Sequence, residues 1–395
     1  MSATTELNLT SGEPTRAARL FLATVLILVG AGLVLLFSAS SFRGSVKHGD
    51  LLYYFASQMQ GLVLGLGALF VFAQVRPERW LRLAPPFLAV VTVFLVAVLF
   101  SDKVNGARRW LSIGISFQPS ELAKIALPLF LAWTVHKAPF LHISASEIAR
   151  PELEPWRARW KAARGQRVLL RLSQLMVVGI VGGLIAIEPD WGTAAFVIGV
   201  STALLVLSRI PWQYFGLAGL ASIPCVGILL QYRDRGELLQ RFDGFLDPQS
   251  VYQVWQSLLG IGSGGWFGKG IGNGAAKTLF LPEEYNDFIF AVLAEETGFA
   301  GVVVLVALFS VLLQTGWRVA RDCPHPALRL FGMAIVLNLV LQATINIAVA
   351  TASAPTKGIG LPFLSYGSTG LSIALGQVGI LIAISKLRNE GQASP

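Results

Sequence analysis

Residues 252–301 of this chain read YQVWQSLLGIGSGGWFGKGIGNGAAKTLFLPEEYNDFIFAVLAEETGFAG. Eight glycines fall within 260–274, three carboxylates follow at Glu283, Glu284 and Asp287, and an apolar helical pattern begins directly after the last of them. Because a bilayer forces backbone polar groups into helices, an irregular segment of this kind beside spanning helices indicates a water-facing or protein-lined cavity. An acid at the mouth of such a cavity is a candidate site residue.

The composition indicates an integral membrane protein. Hydrophobic residues make up 54% of the 395 residues and charged residues only 13%, with a mean hydropathy of +0.63. One water-facing core could not bury that much apolar surface, so a soluble globular chain is excluded. The formal net charge is +9, but Lys and Arg flank apolar segments, which favours a topological role over nucleic-acid binding. The two cysteines, Cys225 and Cys323, show neither a disulfide pattern nor metal-type spacing.

Apolar runs long enough to cross a bilayer, or to lie buried within one, predict an all-α protein of about ten transmembrane helices. The runs are 17–38, 51–74, 83–100, 119–136, 173–187, 192–208, 212–231, 288–316, 328–350 and 363–385. Lys and Arg are more numerous in alternate loops, which places both termini in the cytoplasm. The predicted organisation is a cytoplasmic tail at 1–16, a single membrane domain at 17–388 and a cytoplasmic tail at 389–395.

Two loops of this domain have predicted roles. Segment 137–172 is rich in Trp, Lys and Arg, which predicts a basic helix lying on anionic lipid at the cytoplasmic face, or a partner-binding surface. Segment 232–287, between the seventh and eighth predicted transmembrane helices, is predicted to lie outside the cell. Within it, apolar residues recur at helical spacing from Val251 to Leu259, which predicts an amphipathic helix on the outer leaflet.

A second motif that carries charge is QPSELAK, at 118–124. Glu121 and Lys124 stand at i and i+3, on one face of a predicted helix near its outer end. One interpretation is a structural salt bridge with a lysine that reaches toward the interface. The other is a cation placed for an anionic lipid head group, to which Arg108 and Arg109 would add bidentate donors for phosphate.

Two further motifs bend the chain beside predicted spans. In IEPDWGTAAF, at 187–196, Asp190 is predicted to cap the helix that follows. In APTKGIGLPFLSYGSTGL, at 354–371, Pro and Gly interrupt the helical pattern, and Lys357 and Ser365 are candidates to line a cavity. Simple loop packing is the alternative for this last motif.

Asp287 has two interpretations from sequence physics alone. It directly precedes an apolar helix, where an acid serves as an N-terminal cap, and it also lies where a catalytic acid is expected. Glu295 and Glu296 fall deeper in the same predicted helix, and we interpret them as hydrogen-bonding or packing partners inside the membrane.

The chain resembles the SEDS family of shape, elongation, division and sporulation proteins. The resemblance extends from the first span to the last and lies in motifs that occur in the family's order: GARRW, QPSELAK, EPDWGTA, QSLLGIGSGGWFGKGIGNG, FLPEEYNDFIFAVLAEETGFAG and PTKGIGLPFLSYGS. Two of their sequences, GIGNG and PTKGIGLP, are more similar to the division member FtsW than to the elongation member RodA.

The resemblance implies a ten-helix peptidoglycan glycosyltransferase that polymerises lipid II, an undecaprenyl-pyrophosphate-linked disaccharide peptide, at the outer face of the cytoplasmic (inner) membrane. It also implies a class B penicillin-binding protein and other proteins of the division site as partners. The family's essential acid stands in a motif usually written His-Thr-Asp-Phe, which here reads Tyr285-Asn286-Asp287-Phe288. The usual Ser-Tyr-Gly-Gly-Ser is altered as well, to Ser-Tyr-Gly-Ser-Thr at 365–369.

These residue types fit the expected chemistry. Lipid II carries its sugar on a pyrophosphate, which leaves as a stable anion, so one base and some cations suffice. Our hypothesis is that Asp287 deprotonates the acceptor sugar's 4-hydroxyl. Arg109 and Lys124 would stabilise the leaving pyrophosphate, with Glu121 holding Lys124 in place and with a Mg²⁺ or Mn²⁺ ion as an optional addition. The alternatives are transport of the lipid-linked precursor, an elongation-type polymerase, and a division scaffold with a vestigial site.

Overall fold

The computed structural model describes residues 9–102, 108–113, 115–137, 164–231, 245–274 and 285–389. These residues form eleven α-helices, one 3₁₀ turn at Pro248–Ser250 and four strands of three residues each. The helices are α1 Arg16–His48, α2 Tyr53–Gln74, α3 Pro77–Val98, α4 Pro119–Lys137, α5 Arg164–Ile187, α6 Trp191–Leu207, α7 Trp212–Gln231, α8 Tyr252–Ser263, α9 Ile289–Arg321, α10 Pro326–Ala350 and α11 Ser368–Ser385. The strands are β1 Leu9–Ser11, β2 Leu111–Ile113, β3 Ile115–Phe117 and β4 Leu387–Asn389.

Every predicted span coincides with a helix. Among the described residues, seven helices are long and apolar enough to cross a membrane, namely α1, α2, α3, α5, α9, α10 and α11. The prediction of an all-α membrane protein is therefore confirmed, apart from the short strands. The other three predicted spans fall on α4, α6 and α7, so the count of ten crossings stays a prediction.

Several predicted boundaries were wrong. Helix α1 continues to His48, well past residue 38, and α3 begins at Pro77 and runs through two internal prolines. Helix α5 begins at Arg164, inside the segment predicted as a basic cytoplasmic loop. The rest of that loop, 138–163, lies outside the described residues, as do 1–8 of the N-terminal tail, 390–395 of the C-terminal tail and the acids Glu283 and Glu284.

The apolar core consists of two clusters, and both contact α10, where Leu330 and Ile345 pack against each of them. The larger is built mainly from α1, α2, α9, α10 and α11, with residues of α3 and α4, and it includes Tyr285 and Phe288, just before α9. The smaller is built from α3, α4, α5 and α6 and includes Ile359, in the segment between α10 and α11. The segments before α9 and after α10 lie side by side, since the Tyr366 amide donates to the Tyr285 carbonyl at 2.9 Å.

The two ends of the described chain lie together. Strand β1 pairs antiparallel with β4, with Leu9 opposite Asn389. Strands β2 and β3 form a second, local antiparallel pair before α4, with Leu111 opposite Phe117. Because β1 precedes the first helix and β4 follows the last, both ends of the bundle's chain are on one side.

Helix α9 is broken at Gly298, whose φ of 66° and ψ of −168° are not helical. The glycine-rich segment after α8 fills the break. The amides of Lys269 and Gly270 each donate at 3.0 Å to the carbonyls of Glu295 and Glu296, which the break would otherwise leave without helical partners.

The other side of the break is satisfied in the same way. The amides of Phe299 and Ala300 donate at 2.9 and 3.1 Å to the carbonyls of Gly265 and Trp266. Two backbones must approach closely for this exchange, and glycine is the residue that permits it. The glycines thus serve a backbone contact with α9, a role that their spacing alone did not indicate.

The two acids at the break have the interior partners that the sequence predicted. The Glu295 carboxylate lies 2.7 Å from Lys269 Nζ and also accepts from Ser263 Oγ at 3.3 Å. The Glu296 carboxylate accepts from Ser38 Oγ of α1 at 2.6 Å. The prediction that both acids serve internal hydrogen bonding is confirmed.

Helix α8 is present as predicted. Val254, Ser257 and Gly260 are buried, and Ser257 Oγ donates to the Ala350 carbonyl at 2.7 Å. Leu259, in the predicted apolar stripe, is 48% exposed. The side of α8 that carries Val254, Ser257 and Gly260 packs on the protein, while Leu259 stays exposed. Contact of the apolar stripe with the outer leaflet stays a prediction.

Candidate active site

A cavity of about 620 Å³ lies where the segments before α9 and after α10 meet. Three of its lining residues are charged: one acid, Asp287, and two cations, Arg109 and Lys357. The remaining lining residues are Ser250, Val251, Tyr252, Gln253, Phe288, Thr356 and Gly358. A single acid between two cations suits a substrate that carries both a hydroxyl and an anionic group.

The backbone around Asp287 is held by hydrogen bonds to its consecutive carbonyl groups. The Tyr285 carbonyl accepts from the Tyr366 amide at 2.9 Å, and the Asn286 carbonyl accepts from Ser365 Oγ at 2.6 Å. The Asp287 carbonyl itself accepts from a side chain of α10 at 2.9 Å. A non-helical segment is thereby fixed in place inside an apolar bundle.

Asp287 is not the N-cap of α9. Phe288 occupies that position, and no side-chain hydrogen bond caps this helix. The capping interpretation of Asp287 was therefore wrong. Its carboxylate instead lies against Gly358, where an added Cβ atom would come within 3.3 Å of Oδ2.

Lys357 reaches the cavity across the N-terminus of α6. A Cβ atom added to Gly192 would lie 3.3 Å from Lys357 Cβ, so the lysine packs directly over this glycine. Asp190 caps the same helix by accepting from the Thr193 amide at 3.2 Å, as predicted. Its other oxygen accepts from Gln118 Nε2 at 3.0 Å, which ties α6 to the residue preceding α4.

Arg109 is held by the turn between α5 and α6. Its guanidinium donates to the Pro189 carbonyl, and its Nε is buried without a partner among the described residues. The adjacent Glu188 is fully buried, and neither of its oxygens has a hydrogen-bond partner in the described part of the chain. Burial, with a smaller contribution from Asp190 and against the opposing effect of Arg109, raises the pKa of Glu188 to about 9. Glu188 is therefore neutral at pH 7 and leaves the positive charge of Arg109 available.

Glu121 and Lys124 form the predicted pair, with Lys124 Nζ 2.6 Å from Glu121 Oε1. Lys124 is 5% exposed, and its ammonium lies 5.4 Å from the centroid of the Phe196 ring. Neither residue lines the cavity that contains Asp287. The salt bridge of the first interpretation is thus present, and a role of the pair in binding substrate stays a prediction.

Ser365 is buried, and both hydrogen bonds of its side chain are made to the protein backbone. Its Oγ donates to the Asn286 carbonyl and accepts from the Leu361 amide at 2.7 Å. The Ser365 carbonyl accepts from Gln58 Nε2 at 3.2 Å. The structure therefore places Ser365 behind Asp287 as part of its support, where the sequence predicted a residue facing the substrate.

Tyr285 and Asn286 stand where the family usually has His and Thr. The Tyr285 side chain turns away from the cavity into an aromatic cluster. Its ring centroid lies 4.7 Å from that of Tyr54 and 5.5 Å from that of Tyr366, and the Arg43 guanidinium lies 5.3 Å from it. The neighbouring Asn286 lies close to Gly360, where an added Cβ would be 3.3 Å from Oδ1. Both departures thus serve packing around Asp287.

Binding of a divalent cation stays a prediction, because the described residues of this site offer few ligands for one. Among the residues that the structure describes, no group of three acidic, histidine or cysteine side chains is close enough to hold a metal ion. The cavity supplies one carboxylate beside two cations. That donor set is poor for Mg²⁺ or Mn²⁺, which prefer several oxygen ligands, unless substrate phosphates complete it.

Sequence reasoning missed Gln58 and Asn346, two polar side chains within apolar helices. Gln58 Oε1 accepts from the Gly367 amide at 2.9 Å, and Asn346 Nδ2 donates to the Asp287 carbonyl. Both residues are 1% exposed. The available signal was their polarity within long apolar runs, where such residues commonly have functional or structural partners.

Fold and site together define a membrane protein of several spanning helices, with a charged cavity at one end of its bundle. The model of the FtsW/RodA/SpoVE family, described as cell cycle proteins, matches residues 18–390. This chain therefore belongs to that family.

Relatives from several bacteria match nearly the whole chain. A protein of Trichlorobacter lovleyi named "Probable peptidoglycan glycosyltransferase FtsW" is 32% identical, over 94% of this chain and 95% of the relative. A Synechocystis protein of the same name is 34% identical, over 98% of this chain and 92% of the relative.

Solved structures are similar over the same range. A chain from the work "Structural coordination of polymerization and crosslinking by a peptidoglycan synthase complex" is 28% identical with a TM-score of 0.68, covering 92% of this chain and 96% of that one. The Rod shape determining protein RodA of Thermus thermophilus is 29% identical with a TM-score of 0.59, covering 91% and 95%.

Proposed function

We propose that this chain is a peptidoglycan glycosyltransferase that polymerises lipid II at the outer face of the cytoplasmic membrane during cell division. The observation that carries the proposal is the cavity in which Asp287 lies with Arg109 and Lys357. Membership of the FtsW/RodA/SpoVE family, together with the names of the relatives, supports the same reaction.

In this proposal Asp287 is the general base. It takes the proton of the acceptor sugar's 4-hydroxyl while that oxygen attacks the donor's anomeric carbon from the face opposite the leaving group. The new glycosidic C–O bond forms as the bond between the anomeric carbon and the phosphate oxygen breaks. The diphosphate leaves with the electron pair, and the configuration at the anomeric carbon inverts.

The cations have the task of neutralising the leaving group. Arg109 and Lys357 line the cavity and supply charge where the diphosphate develops its own. Lys124, held by Glu121, is proposed to act on the same anion from outside this cavity, in a position that requires the substrate to extend toward α4. Ser365 contributes indirectly, because it positions the backbone that carries Asp287.

The pairing of β1 with β4 supports a site on the outer face. With both ends on one side, the chain must cross the membrane an even number of times, so one or three of α4, α6 and α7 would join the seven recognised spans. Arg43, near the far end of α1, contacts Tyr285 beside the cavity, so the cavity lies opposite the termini. Cytoplasmic termini, which the positive-inside rule favours, then place the cavity outside.

Membership of the family supports the partners and the location that we propose. A class B penicillin-binding protein would cross-link the strands that this chain makes, and other division proteins would hold both at the division site. The relatives' name FtsW favours division over an elongation role. Depletion should therefore yield undivided filaments, and rounded cells would point to elongation.

The test is to supply the purified protein with lipid II, alone and with a cognate class B penicillin-binding protein, and to separate the products by size. We expect glycan polymer. In parallel, vesicles containing fluorescent lipid II report its movement between leaflets. Movement without polymer would establish a transporter instead, and neither activity would indicate a scaffold.

A further inference from the structure

We infer that Asn346 is a positioning residue that sets the distance between the catalytic acid and the Lys357 segment. Its side-chain Nδ2 donates to the Asp287 carbonyl at 2.9 Å and to the Ile359 carbonyl at 2.8 Å. One amino group thus joins the two segments that face each other across the cavity. This inference rests on the proposed function of Asp287.

The orientation of the Asn346 amide follows from its partners. Both are carbonyl oxygens, which only accept hydrogen bonds, so the group facing them must be the NH₂ with its two donors. Each donor is used once. The Oδ1 atom is buried and has no partner in the described part of the chain, so the side chain is oriented by these two hydrogen bonds.

The two bonds matter because the joined segments carry the reacting groups. Asp287 is on one, and Lys357 and Gly358 are two residues or fewer before Ile359 on the other. The Asp287 carboxylate already lies against Gly358. Without Asn346, the Tyr366 and Ser365 bonds would still hold Tyr285 and Asn286, but the Asp287 carbonyl would be released.

Burial of Asn346 would cost free energy if its side chain lacked hydrogen-bond partners. It is 1% exposed within α10, where an amide without partners has a large desolvation penalty. The same helix contains a matched residue, Asn338, which is also 1% exposed and whose Nδ2 donates to Gln377 Oε1 at 2.8 Å. This hydrogen bond of Asn338 goes to neither segment of the cavity. Substitution of Asn338 therefore serves as the control for removing a buried asparagine from α10.

The test compares Asn346→Leu with Asn338→Leu in lipid II polymerisation by the full-length protein together with its class B partner. A misplacement of about 1 Å costs roughly 100-fold in rate, so we expect kcat to fall by about that factor in Asn346→Leu with a much smaller change in KM. Asn338→Leu should keep kcat within about twofold, an ordinary result for a change far from the chemistry. Asn346→Gln, which keeps the donors, should recover part of the loss.

A second measurement does not depend on activity. Hydrogen-exchange mass spectrometry should show faster exchange of the Ile359 amide in Asn346→Leu, and no change there in Asn338→Leu. Equal kcat values for the two variants, or unchanged exchange in Asn346→Leu, would overturn the inference. If the wild-type protein makes no polymer, the proposed function fails, and the exchange result alone decides whether Asn346 joins the two segments.

Discussion

At the scale of single residues, the site depends on polar groups whose partners are far away in the sequence. Glu188, Asn346 and Gln58 could each be recognised as polar residues within or beside apolar runs. The electrostatic effect of Arg109 on Glu188, and the hydrogen bonds of Asn346 and Gln58 to Asp287 and Gly367, join residues that the sequence separates widely. Sequence patterns report periodicity along one chain, so they indicate that such a residue has a partner without identifying it.

Glu188 provides a prediction about pH. Its folded-state pKa is raised from 4.5 to about 9, so between these values the folded protein retains a proton that the unfolded chain has lost. Stability must therefore fall as pH rises through this window, by at most about 1.4 kcal/mol per pH unit. Glu188→Gln removes the titration.

The measurement is the apparent Tm of both proteins in detergent between pH 6 and pH 9. We expect the Tm of Glu188→Gln to exceed that of wild type by an amount that grows with pH. Parallel curves, with a constant difference between the two proteins, would show that Glu188 does not hold a proton in the folded state.

The predictable part of the site was the set of charged residues within motifs. Asp287 and Arg109 were selected from the sequence and now share a cavity with Lys357, another of the selected residues. Lys124 was expected beside them but is not among the cavity's lining residues. Its distance from Asp287 depends on how α4 packs against α6 and α10, which no local pattern specifies.

At the scale of secondary structure, the break in α9 shows how a helix interruption can be stabilised inside a bundle. Backbone groups freed at Gly298 bond to the segment after α8. Helix periodicity predicted α9 correctly but gave no sign of the break, because a single glycine in a helical pattern is usually tolerated. The exchange of hydrogen bonds with a distant segment is a tertiary feature.

Gly298→Ala should be strongly destabilising. The φ and ψ of Gly298 lie in a region that is essentially restricted to glycine, and an added Cβ atom would collide with the backbone of Phe267 and Gly268. We expect a loss of about 3 kcal/mol or more, seen as poor recovery of folded protein and a Tm lower by several degrees.

Gly262→Ala is the matched control for this change. Gly262 lies in α8, and an added Cβ atom there meets nothing within 4 Å. Because alanine favours helices over glycine by about 1 kcal/mol, this variant should be as stable as wild type or slightly more so. Equal Tm values for the two variants would contradict the role given to Gly298.

At the scale of the whole molecule, composition and hydropathy were sufficient for the class of protein, and helix ends were the least predictable part. The number of membrane crossings cannot be obtained from hydropathy alone. Helix α4 is too polar, and α6 too short, to be recognised as a span by length and composition. The pairing of β1 with β4 supplies the missing constraint, since it requires an even number.

Topology can be tested directly. Reporters that fluoresce only in the cytoplasm, fused separately to the N-terminus and the C-terminus, should both be active. A single cysteine placed at Gln253, which is exposed beside the cavity, should react with an impermeant reagent added outside the cells. One silent terminal fusion, or labelling of this position only after the membrane is broken, would contradict the proposed orientation.

The most direct test of the central claim compares wild type, Asp287→Asn and Asp287→Glu in polymerisation of purified lipid II with the class B partner present. Asparagine keeps the size of Asp287 but cannot accept the proton, so we expect the rate to fall by at least about 100-fold while Tm stays near that of wild type. Glutamate should retain measurable activity. An Asp287→Asn protein that polymerises lipid II at a rate close to that of wild type would show that Asp287 is not the base.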